Sequence, residues 1–125
     1  MDISNSILRD VRKAVGLSED DNNFDTDLLQ HINSAIIKLN QNGVGNSITI
    51  NDNTTTWEIF RNPEQIEGNK VFALAPLFIT LSTKLLFDPP PPSNVQYYNN
   101  NIQELLWRLK IAYEIGELEG GDNNE

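Results

Sequence analysis

Cysteine is absent from this sequence of 125 residues, and basic residues are few. Without cysteine the protein has no disulfide, no thiol nucleophile and no thiolate-bound zinc or iron–sulfur site. Nine Lys and Arg stand against 18 Asp and Glu, which gives a formal net charge of −9. Because proteins bind duplex nucleic acid mainly through Lys and Arg that neutralise phosphates, this balance argues against a duplex-binding protein.

Long apolar runs are also missing. The most apolar uncharged stretch, residues 71–83, is shorter than the roughly 20 residues that a membrane span needs, so we expect no membrane association. The first residues have neither the basic start nor the apolar stretch of a signal peptide, and secretion by that route is not expected. With 38% hydrophobic residues, a chain of this length can form one domain with a modest core.

Apolar residues at intervals of three and four predict two amphipathic helices in the first third of the chain. The first covers residues 4–15, and Gly16 provides the left-handed residue that often ends a helix. The second begins near Thr26, with Asp25 or Thr26 as its N-cap, and ends in the polar cluster of residues 40–45. The segment that follows, up to residue 50, is predicted to be a loop.

The middle of the chain predicts a short helix followed by the most buried helix. A Thr-x-x-Glu spacing indicates a short helix from Thr56 to about Arg61. Residues 64–87 are the most apolar segment and predict a central helix with Leu77 close to its buried stripe. Pro76 removes one backbone hydrogen bond, so we expect a bend or a break near Phe72 to Pro76.

The last helix follows a corner of consecutive prolines. Ser93 has the spacing of a helix N-cap, and an apolar stripe then continues to Gly116. Residues 117–125 contain four acids and no base, so we expect a flexible acidic tail beyond a helical domain of residues 1–116. The predicted fold is all-α: a small bundle of about four to five helices with a long, proline-capped C-terminal helix.

Catalytic and cofactor-binding chemistry finds little support in the sequence, and we expect neither an enzyme nor a cofactor. Asp21 begins a run that partly resembles a calcium loop, but Thr26 and Ile32 stand where glycine and glutamate are needed, which favours a solvated acidic loop. His31 has no second metal ligand nearby and is expected at the surface or at its boundary. No pair of nucleophile and base can be nominated.

Two tryptophans and one charged pair complete the candidate residues. Trp57 and Trp107 are expected in the core or between helices, because aromatic residues at helical spacing usually serve packing. Arg108 lies one turn after Glu104, and we expect an ion pair between them.

Several motifs, in their order along the chain, resemble the tailed-phage head–tail connector (adaptor) family. They are an opening pattern from Ile7 to Leu17, the Thr-Trp-Glu step at 56–58, Phe-Asp-Pro-Pro followed by serine, and a Glu-Leu-x-Trp-Arg-Leu helix. The residues that carry this resemblance are Trp57, Phe87, Asp88, Pro89, Pro90, Ser93, Glu104, Leu105, Trp107, Arg108 and Leu109. Pro76, Pro91 and Pro92 depart from the family pattern.

The resemblance implies a helical structural protein of the virion that forms a ring, usually twelve-fold, beneath the portal vertex. Such a ring extends the DNA channel, through which DNA passes without specific binding, and provides the attachment platform for a downstream neck or tail-completion protein. The expected location is the neck of the virion, and the host cytoplasm during assembly. In relatives the last helix and the segment beyond it dock against the portal, which implicates Trp107, Arg108, Lys110, Tyr113, Ile115 and Leu118.

A different class of protein also fits the charge. An acidic inhibitor that mimics nucleic acid, and so blocks a host DNA-binding enzyme, would carry its acids at regular spacing along one face. Here the acids concentrate in residues 19–27 and in the C-terminal tail. This distribution favours the structural protein over the inhibitor.

Overall fold

A computed structural model of the chain describes residues 6–45, 48–60 and 71–122, with the backbone alone for 71–73 and 115–122. The described part contains four α-helices, one 3-10 helix and no strand, which confirms the all-α prediction. The α-helices are α1 (Ile7–Ala14), α2 (Asp25–Gln41), α3 (Val71–Phe87) and α4 (Pro92–Asp122), and the 3-10 helix is Trp57–Phe60.

Helix α1 begins and ends with hydrogen bonds that its sequence supplies. The Ser6 hydroxyl caps the first turn by accepting a backbone N–H. At the other end Gly16 has φ +93°, and it donates its N–H to the Lys13 carbonyl at 3.1 Å while Leu17 donates to the Arg12 carbonyl at 2.8 Å. This pair of bonds is the Schellman motif, so the predicted helix end at Gly16 is confirmed.

Helix α2 starts without the side-chain cap that the sequence predicts. Phe24 is its N-cap residue and makes no side-chain capping bond, so the assignment of Asp25 or Thr26 as the cap is wrong. The physical reason is a competing partner. Arg12 holds the Asp25 carboxylate with two hydrogen bonds of 3.0 and 2.6 Å, and it also donates to the Glu19 carbonyl oxygen at 2.6 Å.

The described part of the segment between α2 and α3, residues 42–45 and 48–60, consists of loop and the 3-10 helix, and side-chain contacts attach it to the bundle. Asn33 donates to the Ile50 carbonyl oxygen at 2.9 Å and accepts its N–H at 2.7 Å. The Trp57 indole N–H donates to Asp10 Oδ2 at 2.7 Å. The predicted short helix is present as the four-residue 3-10 helix, while its predicted end at Arg61 lies outside the described residues.

Helix α3 is the centre of the bundle, as predicted, and packs mainly against α2 and α4. It continues through Pro76, so of the two expected outcomes the break is wrong and the bend stays a prediction. The predicted start at residues 64–70 lies outside the described part. The predicted stripe places Leu77 near the buried side, but Leu77 is 51% exposed and Ile79 and Thr83 are buried instead. Because α3 is apolar on most sides, residue spacing alone does not identify its inner face.

Helix α4 begins one residue before the predicted N-cap and ends later than predicted. Pro92 is its first residue, a position that suits proline because the first helical N–H has no partner in the helix, so Ser93 as the N-cap is wrong. The helix also passes Gly116 and ends at Asp122, which corrects the predicted end. A glycine inside a helix costs only about 1 kcal/mol, and the flanking Glu and Leu favour helix. The domain boundary at residue 116 stays a prediction.

One hydrophobic core lies where α3 meets the other helices. Its largest fully buried side chains come from all four α-helices and from the loop before α3. They are Phe60, Phe78, Ile7, Leu8, Leu28, Ile32, Ile36, Leu39, Ile50, Ile79, Leu109 and Val11.

Candidate docking surface

The corner between α3 and α4 consists of residues that hold the two helices in place. Phe87 is half-buried and meets the ring of Phe24 edge-on, with centroids 5.6 Å apart. Asp88 donates its backbone N–H to the Lys84 carbonyl oxygen at 2.8 Å, which closes the last turn of α3. Of the other motif residues here, Pro90 is half-buried, and Pro89 and Ser93 are exposed. Phe87 and Asp88 therefore end α3, and Pro89 and Pro90 lie in the corner before α4.

The inner face of α4 joins the core through apolar side chains. Leu109 is fully buried and Leu105 is half-buried against the core. Tyr113 is half-buried, and its hydroxyl lies 3.4 Å from the Phe60 carbonyl oxygen, to which it donates. This face corresponds to the apolar stripe of the sequence. Tyr113 therefore serves the fold, with only part of its ring available to another molecule.

Trp57 and Trp107 occupy opposite environments. Trp57 is 5% exposed within the core, as predicted. Trp107 is 64% exposed, so its predicted place in the core or between helices is wrong. The sequence contained the signal for this difference: the buried neighbours Leu106 and Leu109 belong to the stripe, and position 107 does not.

Charged side chains surround Trp107 on the solvent side of α4. Arg108 donates to Glu104 at 2.9 Å, which confirms the predicted pair, and both side chains are exposed. Lys110 is exposed and has no ion pair within the described part of the chain. We define Glu104, Trp107, Arg108 and Lys110 as the outer face of α4. Ile115 and Leu118 follow on the same helix, where only the backbone is described.

Tyr97 is a further exposed aromatic residue on α4, which the sequence analysis did not single out. Its side chain is 66% exposed and contacts the ring of Tyr98 edge-on, with centroids 6.4 Å apart. The signal for it was the same as for Trp107, since Tyr98 belongs to the apolar stripe and the preceding position does not.

The chain's own cations partly neutralise its acidic loop. Arg9 binds Glu19 at 3.0 Å and Asp20 at 3.2 Å, while Lys13 lies 3.9 Å from Glu19. Together with the pair between Arg12 and Asp25, these contacts attach the loop to α1. The loop is therefore less available to an outside cation than its composition indicates.

In the part of the chain that the structure describes, no three His, Asp or Glu side chains lie close enough to hold a metal ion. No described helix is long and apolar enough to cross a membrane. Exposed Trp and Arg are the residue types that carry most binding energy in protein interfaces. The outer face of α4 is therefore the best candidate for a functional contact.

A family model described as phage connector protein matches residues 7–116, which is most of the chain and includes the outer face of α4. No curated protein and no solved structure matches the chain.

Proposed function

The chain belongs to the phage connector protein family, and from this membership we propose that it is the adaptor that joins the portal to the neck or tail. Its family is one of structural proteins that link head and tail components of the phage particle. The observation that carries the proposal is the family match over residues 7–116. The all-helical fold agrees with this role.

The portal contact is proposed for the outer face of α4. Trp107 is the large apolar side chain there, and Arg108 and Lys110 flank it with positive charge. Covering such a tryptophan removes a large apolar area from water, and interface residues of this type contribute about 2–4 kcal/mol to binding. Ile115, Leu118 and the part of the Tyr113 ring that the core leaves exposed extend the proposed contact along the same helix.

The ring, the channel and the locations are part of the same proposal. A ring, twelve-fold in the virion, would extend the DNA channel below the portal and offer the downstream neck or tail-completion protein its attachment platform. The protein would be present in the host cytoplasm during assembly and in the neck of the virion afterwards. Since the chain has a net charge of −9, like charge would keep passing DNA off the channel wall, so DNA would move without specific binding.

The inhibitor alternative has little support from the arrangement of the acids. Glu19, Asp20 and Asp25 are all bound by cations of α1. Carboxylates paired in this way do not present the unneutralised row of negative charge that a mimic of nucleic acid requires.

A binding measurement with two matched variants tests the proposal. The wild-type protein, Trp107→Ala and Tyr97→Ala are each titrated against purified portal rings encoded in the same genome. Tyr97→Ala is the control, because Tyr97 is an equally exposed aromatic residue on α4 outside the proposed contact. We expect Trp107→Ala to weaken binding about 30-fold or more, which corresponds to about 2 kcal/mol, and Tyr97→Ala to bind as the wild type does. Wild-type binding by a folded Trp107→Ala variant would contradict the proposed contact.

A further inference from the structure

A cleft of about 180 Å³ lies between α2 and α4, with α3 as its floor. Leu85, Leu86 and Ile102 give it an apolar lining, and Leu86 is 58% exposed. Trp107 does not line this cleft, so the outer face of α4 and the cleft are separate surfaces. Its lining residues are His31, Ser34, Ala35, Lys38, Ser82, Leu85, Leu86, Asn99, Ile102 and Gln103.

A polar stripe of α2 forms one wall of the cleft and continues beyond it. Asp27, His31, Ser34 and Lys38 follow each other at helical spacings of four, three and four residues, so they lie along one side of the helix. Asp27 at one end and Lys38 at the other are exposed, and neither has an ion pair within the described part of the chain. The stripe thus has a free negative end and a free positive end, about 16 Å apart.

This stripe is complementary to itself when it is reversed. The midpoint of Asp27 and Lys38 along α2 coincides with the midpoint of His31 and Ser34, between residues 32 and 33. Two copies of α2 laid antiparallel about that midpoint therefore place each Asp27 opposite Lys38 of the partner subunit. They also place each His31 opposite Ser34 of the partner subunit. A two-fold contact requires this arrangement, in which one surface meets the same surface of a second copy.

We propose that the cleft and the α2 stripe form a docking site for a second copy of this chain, in an antiparallel two-fold dimer. The two clefts face each other, and the exposed Leu86 side chains gain cover from the partner subunit. Exposed ion pairs contribute little individually, so the pairs determine the register while the apolar lining contributes most of the attraction. A two-fold dimer is closed, so this contact goes beyond the proposed ring and does not depend on it.

Charge reversal provides a sharp test, because general charge repulsion and the proposed pairs predict opposite effects of Asp27→Lys on the dimer. Asp27→Lys changes the net charge from −9 to −7, and Lys38→Glu changes it from −9 to −11. If general repulsion controlled association, Asp27→Lys would strengthen the dimer. The proposed pairs predict instead that each single variant weakens it and that the double variant, again at −9, restores it.

The experiment is sedimentation velocity of the full chain over a concentration series, for the wild type, both single variants and the double variant. Lys84→Glu is the control, since it also gives −11 but lies outside the cleft. We expect a concentration-dependent dimer for the wild type. We also expect each single variant to have an approximately tenfold larger dissociation constant. The double variant and the control should behave as the wild type does. A wild type that stays monomeric at every concentration would overturn the proposal, as would single variants that dimerise normally or a double variant that does not recover.

Discussion

At the residue scale, the two tryptophans have different roles: Trp57 stabilises the fold, and Trp107 is available for the proposed contact. Trp57 is buried and donates its indole N–H to Asp10, whereas Trp107 is mostly exposed. We expect Trp57→Ala to lower the free energy of unfolding by about 3–5 kcal/mol, because it leaves a cavity and an unpaired carboxylate. Trp107→Ala should lower it by less than about 1 kcal/mol. Denaturant unfolding of both variants measures the difference, and equal losses would contradict the assigned environments.

Arg12 is the residue that connects α1, the acidic loop and α2. Its side chain is almost fully buried, and it binds the Asp25 carboxylate and the Glu19 carbonyl oxygen. Arg12→Met should destabilise the protein by about 3 kcal/mol, because the mutation leaves the half-buried Asp25 carboxylate without its partner. Lys13→Met is the control, since its pair is long and its side chain exposed, and it should change stability by less than about 0.5 kcal/mol. Thermal and urea unfolding test both values; a small loss for Arg12→Met would show that the contact is dispensable.

Asp52 gives a prediction about protonation. The Thr54 hydroxyl and backbone N–H both donate to its carboxylate, and these hydrogen bonds lower the pKa of Asp52 below its usual value. Because the folded-state pKa is depressed, the stabilising effect is present at neutral pH and is lost as the pH falls through that lowered pKa. Thr54→Ala removes the larger of the two causes, so the pKa of Asp52 should rise toward its ordinary value in an NMR titration. An unchanged titration would contradict this contact.

At the scale of elements, the sequence predicted which helices exist better than how each one begins. Helical periodicity identified the α-helices, and Gly16 marked the end of α1 correctly because its φ is positive. The predicted N-caps of α2 and α4 were wrong, the first because of a contact with a residue distant in sequence and the second because of the adjacent residue. Asp25 is held by Arg12, which lies on another helix, and Pro92 starts α4 before Ser93 can cap it. Neither competition is visible in a spacing rule for caps.

The inner and outer faces of the helices were predictable to different degrees. On α4 the apolar stripe is flanked by polar residues, so its spacing identifies the buried side of the helix. Trp107 lies off this stripe, and its exposure follows from the sequence when the spacing outweighs the general tendency of aromatic residues to be buried. On α3 almost every position is apolar, and only packing against α2 and α4 decides that Leu77 is exposed. The cleft beside α2 was unpredictable for the same reason, because it depends on how three helices pack.

Pro76 gives a prediction at this scale. Helix α3 continues through this proline although the residue cannot donate a backbone hydrogen bond. Pro76→Ala supplies the missing N–H donor, so we expect it to raise the free energy of unfolding by about 1–3 kcal/mol, reduced by the greater freedom of the unfolded chain. Thermal unfolding should show a higher Tm. A lower Tm would indicate that packing in α3 depends on the proline ring.

At the scale of the whole molecule, the protein has two candidate contact surfaces, and they differ in composition. The outer face of α4 carries Trp107 with charged neighbours, and the cleft between α2 and α4 carries a stripe that is complementary to itself. Membership of the phage connector family makes the first surface the proposed portal contact, while the second is the proposed contact between two copies.

We propose that this protein binds the portal as a ring through the outer face of α4. Cryo-electron microscopy of portal rings mixed with the protein would image this contact. We expect a ring of additional helical density beneath the portal, with the Trp107 side of α4 against the portal surface. Intact portal rings without added density, despite a well-folded protein in excess, would contradict the proposal, and so would a ring whose Trp107 side faces away from the portal.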